Sequence, residues 1–245
     1  MPDLNPQDKL SELTSIFKTT KKILILIRKD PSFDSLSAAT ALFLAIKKAG
    51  KEVDCYCETP SIVESANLVG VNKIRNEIGN KNLIISFDYI EGAIDKVSYN
   101  IEGNKFNLVI QPKDGLTTIS PEKVNYSYSG IYADLIFCVD CQNLSDLGKI
   151  AEKEKEFIEK TPIVSIDSAN SSQFAKFNLN TPGVFSTAEL ALSLFHPLEL
   201  VIDQDIASNL LMGIEFASGS FSDPRLDATT FETVARSLPT FSATS

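Results

Sequence analysis

With 245 residues, 43% of them hydrophobic, the chain can fill one large or two small cores, and no apolar run approaches the roughly 20 residues of a membrane span. A formal net charge of −9 excludes broad electrostatic attraction to duplex nucleic acid and restricts any nucleic-acid partner to a short or locally bound one. The opening MPDLNPQDKLSELTS has neither a basic nor an apolar signal region, so a cytoplasmic location is expected.

In chain order, Leu10, Leu13, Ile16 and Phe17 recur at helical spacing and predict a leading amphipathic helix over 7–19. Residues 23–27 (ILILI) are apolar at every position, as in a central parallel strand covered on both faces. The polar loop RKDPSFDSLS follows, then a helix whose stripe is Ala38, Leu42, Ala45, Ile46 and Ala49, stopped by Gly50, then a strand over 52–56. That βαβ unit places the loop at the C-terminal end of its first strand, where open parallel sheets bind ligands. Further apolar runs at 83–87, 134–139 and 162–166, with helical patterns at 145–160 and 186–195, complete the expectation of an α/β fold, a doubly wound and mostly parallel sheet. Between about 92 and 130 the pattern becomes short alternating strands around Glu102-Gly103-Asn104, read as an antiparallel hairpin insertion. Two helical patterns fill 203–238 around a Gly/Ser/Pro segment, and 239–245 reads as an unstructured tail; residues 1–245 are taken as one domain.

Few residues carry obvious chemistry. The four cysteines, Cys55, Cys57, Cys138 and Cys141, lie in or beside strand-like runs and read as buried thiols. Cys138 and Cys141 are expected on opposite faces of a strand, with no second pair and no nearby histidine to complete a zinc site. The single histidine, His196, follows a helical run and precedes Pro197, which suits a surface or packing role. Asp34, with Ser32 and Ser35, sits where a helix begins and suits a helix cap. Asp140 and Asp167 each end a strand on the side of the sheet that carries this loop, and Arg28 ends the first strand facing them.

Four segments resemble the DHH superfamily of phosphoesterases, in order and over nearly the whole chain. Arg28-Lys29-Asp30-Pro31-Ser32-Phe33-Asp34 stands where the family has His-x-x-Pro-Asp-x-Asp, followed by Ser37-Ala38 in place of Gly-Ser. ADLIFCVDC resembles the strand ending in a metal-bridging aspartate, here Asp140. Asp167-Ser168-Ala169-Asn170 stands at the namesake Asp-His-His-x-x-Asn, without either histidine. In GIEFASGSF, Gly213, Ile214, Gly219 and Phe221 match the family's helix and turn, while Ala217 replaces a ligand aspartate. The glycines are read here as permitting a tight turn, with Phe221 packing in the core. The family's C-terminal substrate-binding domain is expected to be absent.

The resemblance implies a metal centre at the positions of Arg28, Ser32, Asp34, Asp140, Ser168 and Ala217, of which only Asp34 and Asp140 keep a carboxylate. Two-metal hydrolysis needs a full ligand set, so the expectation is a domain that has lost its two-metal centre and binds without hydrolysis, with no cofactor. Candidate ligand contacts are Arg28, Ser32, Ser35, Ser168 and Asn170; residual metal candidates are Asp34, Asp140 and Asp167. Arg28 is expected in a buried ion-pair cluster or gripping a phosphate, with Glu215 as a possible partner. Expected partners are a nucleotide or short oligonucleotide, a second copy of the chain or another protein. The alternative is an active metal-dependent phosphodiesterase or phosphatase, using weakly held Mg²⁺ or Mn²⁺ at a site rebuilt around Asp30, Asp34, Asp140 and Asp167.

Overall fold

The computed structural model describes residues 6–60, 65–77, 82–115, 120–168, 172–180, 183–184 and 186–224, together with 226, 228, 231 and 235. The chain divides into two compact units, one of residues 1–78 and 131–245 and one of residues 79–130.

In the first unit, α1 (Pro6–Thr19) leads into β1 (Lys22–Ile27), α2 (Phe33–Lys48), β2 (Glu52–Tyr56) and the two-residue β3 (Ile74–Arg75). Its strands resume in β8 (Leu135–Val139), β9 (Ile163–Ile166) and β10 (Phe177–Leu179), and the sheet runs β10-β9-β8-β1-β2-β3 with every neighbouring pair parallel. Alternate side chains of β1 go to opposite faces: Ile23, Ile25 and Ile27 join one core, Leu24 and Leu26 the other. The first core is completed by α1, α2, α5 (Thr187–Ser193) and α6 (Gln204–Ala217), the second by the segment holding Leu147, α3 (Lys149–Lys153) and α4 (Lys155–Lys160). Helices on both faces make the sheet doubly wound, as its uniformly apolar central strands require. None of the described helices is long and apolar enough to cross a membrane.

Helix α2 is the most enclosed element, buried from Asp34 to Ile46 apart from Leu44, between the sheet and the pair α5 and α6. Gly213 makes that packing feasible. It lies inside α6 and not in a turn, and a Cβ there would stand 2.7 Å from the Cβ atoms of both Ser37 and Ala188. The turn belongs to Gly219, at φ 57°, and Phe221 packs partly buried on the first core.

Two further expectations change. Cys138 and Cys141 lie in the same core, because β8 ends at Val139 and Asp140, at φ 58°, redirects the chain before the alternation reaches Cys141. The apolar run at 83–87 does not join the parallel sheet: β4 (Asn82–Ser86) pairs antiparallel with β7 (Asn125–Ser129) in the second unit. That unit also holds the hairpin of β5 (Ile94–Glu102) and β6 (Lys105–Pro112), turned by Gly103 and Asn104 with Gly103 at φ 59°. The second C-terminal helical pattern and the 239–245 tail fall largely or wholly outside the described residues.

Gly213→Ala should lower the midpoint of urea unfolding, with a loss of about 1–3 kcal/mol, the usual cost of forcing a methyl into a filled helix junction.

Candidate functional site

The register of the parallel strands assembles the site. Ile27 is paired with Val139 and Val139 with Ile166, so Arg28, Asp140 and Asp167 emerge side by side, each one residue past its strand. The ladder carries on through them: Arg28 N–H donates to Val139 O (3.2 Å), Asp140 N–H to Ile166 O (2.8 Å) and Asp167 N–H to Leu179 O (3.3 Å). These bonds fix where each side chain starts. The loop after β1 adds Ser32, Asp34 and Ser35 at the start of α2.

A directed chain of hydroxyls links the loop to Asp140. Ser32 is the N-cap of α2 and accepts from Ser35 N–H (3.1 Å), and its hydroxyl lies 2.7 Å from that of Ser35. Ser35 donates to Asp140 Oδ2 at 2.6 Å, so its remaining role toward Ser32 is to accept. The same Oδ2 lies 3.5 Å from Nη1 of Arg28. Burial raises the pKa of Asp140, the bonds and charge from Ser35 and Arg28 pull it back, and the neighbouring Asp167 charge adds to the rise. Arg28 is 40% exposed at its side chain, so its pair with Asp140 lies at the surface of the cleft and not in a buried cluster. Its Nε is nevertheless enclosed, with no hydrogen bond among the described residues.

Asp34 caps a helix, but not its own. Its two oxygens accept from Thr187 N–H (2.6 Å), Ala188 N–H (2.9 Å) and Ser186 Oγ (3.0 Å), at the start of α5. Ser186 in turn accepts from Glu189 N–H at 3.2 Å. The carboxyl is almost fully buried, and desolvation pushes its pKa up to about 6 in spite of those three donors, with the Asp140 charge contributing. The sequence shows 186–195 as a helix but not the part of Ser186, Thr187, Ala188 and the buried Glu189 in this site, although Ser-Thr-Ala-Glu has the spacing of a capping box.

The other expected residues are placed as follows. Ser35 is fully buried with its hydroxyl engaged, whereas Ser32 is exposed and Ser168 half-buried at the same sheet edge. Asn170 and Ala169 lie outside the described residues. Asp167 is buried, and its carbonyl accepts from Asn180 Nδ2 (3.0 Å). Asp30, at φ 50°, is tied to Thr59 in both directions at 2.7 Å, and Glu215 and His196 are exposed. Among the described residues no three His, Cys, Asp or Glu side chains form a group that could hold a metal.

A family model described as the DHH family, N-terminal domain, matches residues 22–214, which spans every element of this site. The chain belongs to the DHH family. A solved structure of an exopolyphosphatase-related protein from Bacteroides fragilis has the same fold, with a TM-score of 0.62 at 14% identity over 94% of this chain. This DHH chain spans 57% of that protein's length. No significant match was found among curated proteins.

The position of Asp34 predicts a pH signature. A carboxyl at about 6 when folded and 3.8 when unfolded leaves the folded state holding more protons between those values, so stability falls as pH rises from 4 to 6. The Asp34→Asn variant lacks this titration. The stability advantage of the parent chain over Asp34→Asn should therefore be largest near pH 4 and shrink by up to roughly 3 kcal/mol above pH 6, measured by urea unfolding of both proteins across that range.

Proposed function

We propose that this DHH-family domain binds a small phosphorylated ligand, a nucleotide or short oligonucleotide, at the C-terminal edge of its parallel sheet and does not hydrolyse it. The observation that carries the reading is the guanidinium of Arg28, 3.5 Å from Asp140 Oδ2, at the position where the family resemblance puts a metal ligand. A fixed positive charge there neutralises carboxylates that two divalent cations would otherwise neutralise.

The donor set does not fit a two-metal centre. Both oxygens of Asp34 are engaged by the N-terminus of α5, and one oxygen of Asp140 is engaged by Ser35 and Arg28. Hard divalent cations take about six oxygen ligands each, and a pair of them needs bridging carboxylates that are free to turn toward both. Asp30, the displaced carboxylate that a rebuilt site would call on, is bound to Thr59. No step of hydrolysis is therefore derived for this chain.

What favours a phosphate ligand is the remaining capacity of Arg28. Its side chain is 40% exposed at the sheet edge, and only Nη1 stands near a carboxylate, 3.5 Å from Asp140. Guanidinium to phosphate is a charge-assisted contact that takes two parallel hydrogen bonds where geometry allows. The exposed Ser32 and half-buried Ser168 flank it with hydroxyls, while Ser35 acts one step behind, holding Asp140 in place. The fold family puts phosphoester ligands at this edge, and the open parallel sheet puts ligands there on general grounds.

The test is calorimetric titration of a 5′-mononucleotide and of a short oligonucleotide into the full chain, alongside Mg²⁺, Mn²⁺ and an assay for phosphoester hydrolysis. The expected result is nucleotide binding that weakens at least about tenfold in Arg28→Ala, with no turnover under either metal. Micromolar Mn²⁺ binding together with hydrolysis abolished by Asp140→Ala would overturn the reading and establish a rebuilt metal site.

A further inference from the structure

The hairpin of β5 and β6 is two-faced. In an antiparallel pair, directly opposed residues share a face. Val97 opposes Ile110, Tyr99 opposes Leu108 and Ile101 opposes Phe106, which makes one face wholly apolar. The intervening pairs, Lys96 with Gln111, Ser98 with Val109, Asn100 with Asn107 and Glu102 with Lys105, form the other face, where Asn107 donates to Asn100 at 2.8 Å. The apolar face is ordered within itself, with the rings of Tyr99 and Phe106 stacked at 5.2 Å, yet its side chains stand open: Tyr99, Ile101 and Phe106 are each about two-thirds exposed (66–68%). A two-stranded hairpin with an uncovered hydrophobic face is marginal in water, so this alternation has a purpose only if something covers it.

We infer that this apolar face packs against the same face of a second copy of the chain, making a two-fold homodimer through stacked hairpins. Two observations select a second copy over an unrelated partner. The first is charge. Residues 79–130 contain six acidic and five basic side chains, a net of −1, while the chain as a whole carries −9 and the remainder therefore −8. Two copies meeting through this unit bring together nearly neutral segments, whereas the remainder carries almost all of the chain's net negative charge. The second is area. The exposed parts of the face amount to about 600 Å² per copy, so a pair buries roughly 1,200 Å², at the lower bound of stable specific interfaces. The face is also self-complementary in kind, since a symmetric contact requires one patch to suit itself and this one has no charge to repel its twin. Face-to-face sheets lie about 10 Å apart, which the projecting Tyr99, Ile101 and Phe106 side chains are long enough to fill.

This inference is independent of the ligand reading, because the hairpin contains none of the residues of the sheet-edge site. The test is sedimentation equilibrium of the full chain from about 1 to 100 µM, the range in which a contact of this size associates. The parent chain should be dimeric at the upper end. Ile101→Lys and Phe106→Glu, both at open positions, should weaken association at least about tenfold with an unchanged circular-dichroism spectrum, and Asn107→Ser on the opposite face should not. In a second measurement, Ile101→Cys should form a disulfide-linked dimer on oxidation, and Asn107→Cys should not; the four native cysteines are buried and do not compete. A chain that stays monomeric throughout, a dimer that the face variants leave intact, or a dimer in which Ile101→Cys does not cross-link would each overturn the proposal.

Discussion

A buried carboxylate with three donors governs how this molecule closes around its cleft. Asp34 starts on α2 and takes its hydrogen bonds from the first turn of α5, so the two helices cannot shift without leaving orphaned either a buried carboxyl or the N–H groups of a helix start. The third helix is drawn in by what it lacks. A Cβ at position 213 would come within 3.0 Å of Asp34 Oδ1, so α6 reaches the junction only because Gly213 has none. Desolvation outweighs the donors in setting the acidity of Asp34, which means that the contact fixes geometry more than it adds stability. Packing thus gives Asp34 a structural role of its own, at a position that the family resemblance assigns to metal binding.

The cleft itself is a problem in charge compensation. Strand register delivers Asp140 and Asp167 to adjacent positions, and the charge of Asp140 is felt at Asp34. Three acidic groups at one sheet edge repel, and the raised pKa of both Asp34 and Asp140 records that the repulsion and burial are only partly offset. At Asp140 the offset comes from Ser35 and Arg28 through a single oxygen, and at Asp34 from the first turn of α5. An arginine answers such a cluster differently from a metal: it adds one charge and directed N–H groups, but no coordination sites that a water could occupy as a nucleophile.

The sequence made the centre of the parallel sheet legible because burial on both faces demands apolar runs, and β1 and β8 have them, while the short edge strands β3 and β10 went unread. It made α2 and α6 legible through period and caps. What escaped was every feature set by a partner distant in sequence. Asp34 read as the cap of its own helix because Ser186 to Ala188 lie about 150 residues away. Gly213 read as a turn residue because a glycine needed for close approach and one needed for positive φ look the same without the neighbours. Residues 83–87 read as a core strand because a five-residue apolar run fits either a buried parallel strand or one arm of an antiparallel pair, and only the pairing with β7 distinguishes them. Arg28 read as part of a buried cluster because its exposure depends on side chains that no pattern in the loop encodes.

The inserted unit leaves the chain after β3 and returns before β8, yet the parallel sheet is unbroken, since β8 pairs with β1 and not with β3. Such an insertion costs the core only the entropy of a longer loop, which grows slowly with length. Freed from the core, the segment obeys a different sequence logic: β5 alternates over Val97–Glu102 where β1 and β8 are apolar almost throughout, and its charge is balanced where that of the remainder is strongly acidic. A strand that alternates has one face to bury and one to hydrate, and a hairpin of two such strands cannot bury the first by itself. The pattern therefore leaves one face to be covered, just as the apolar runs of β1 and β8 call for the helices that cover them.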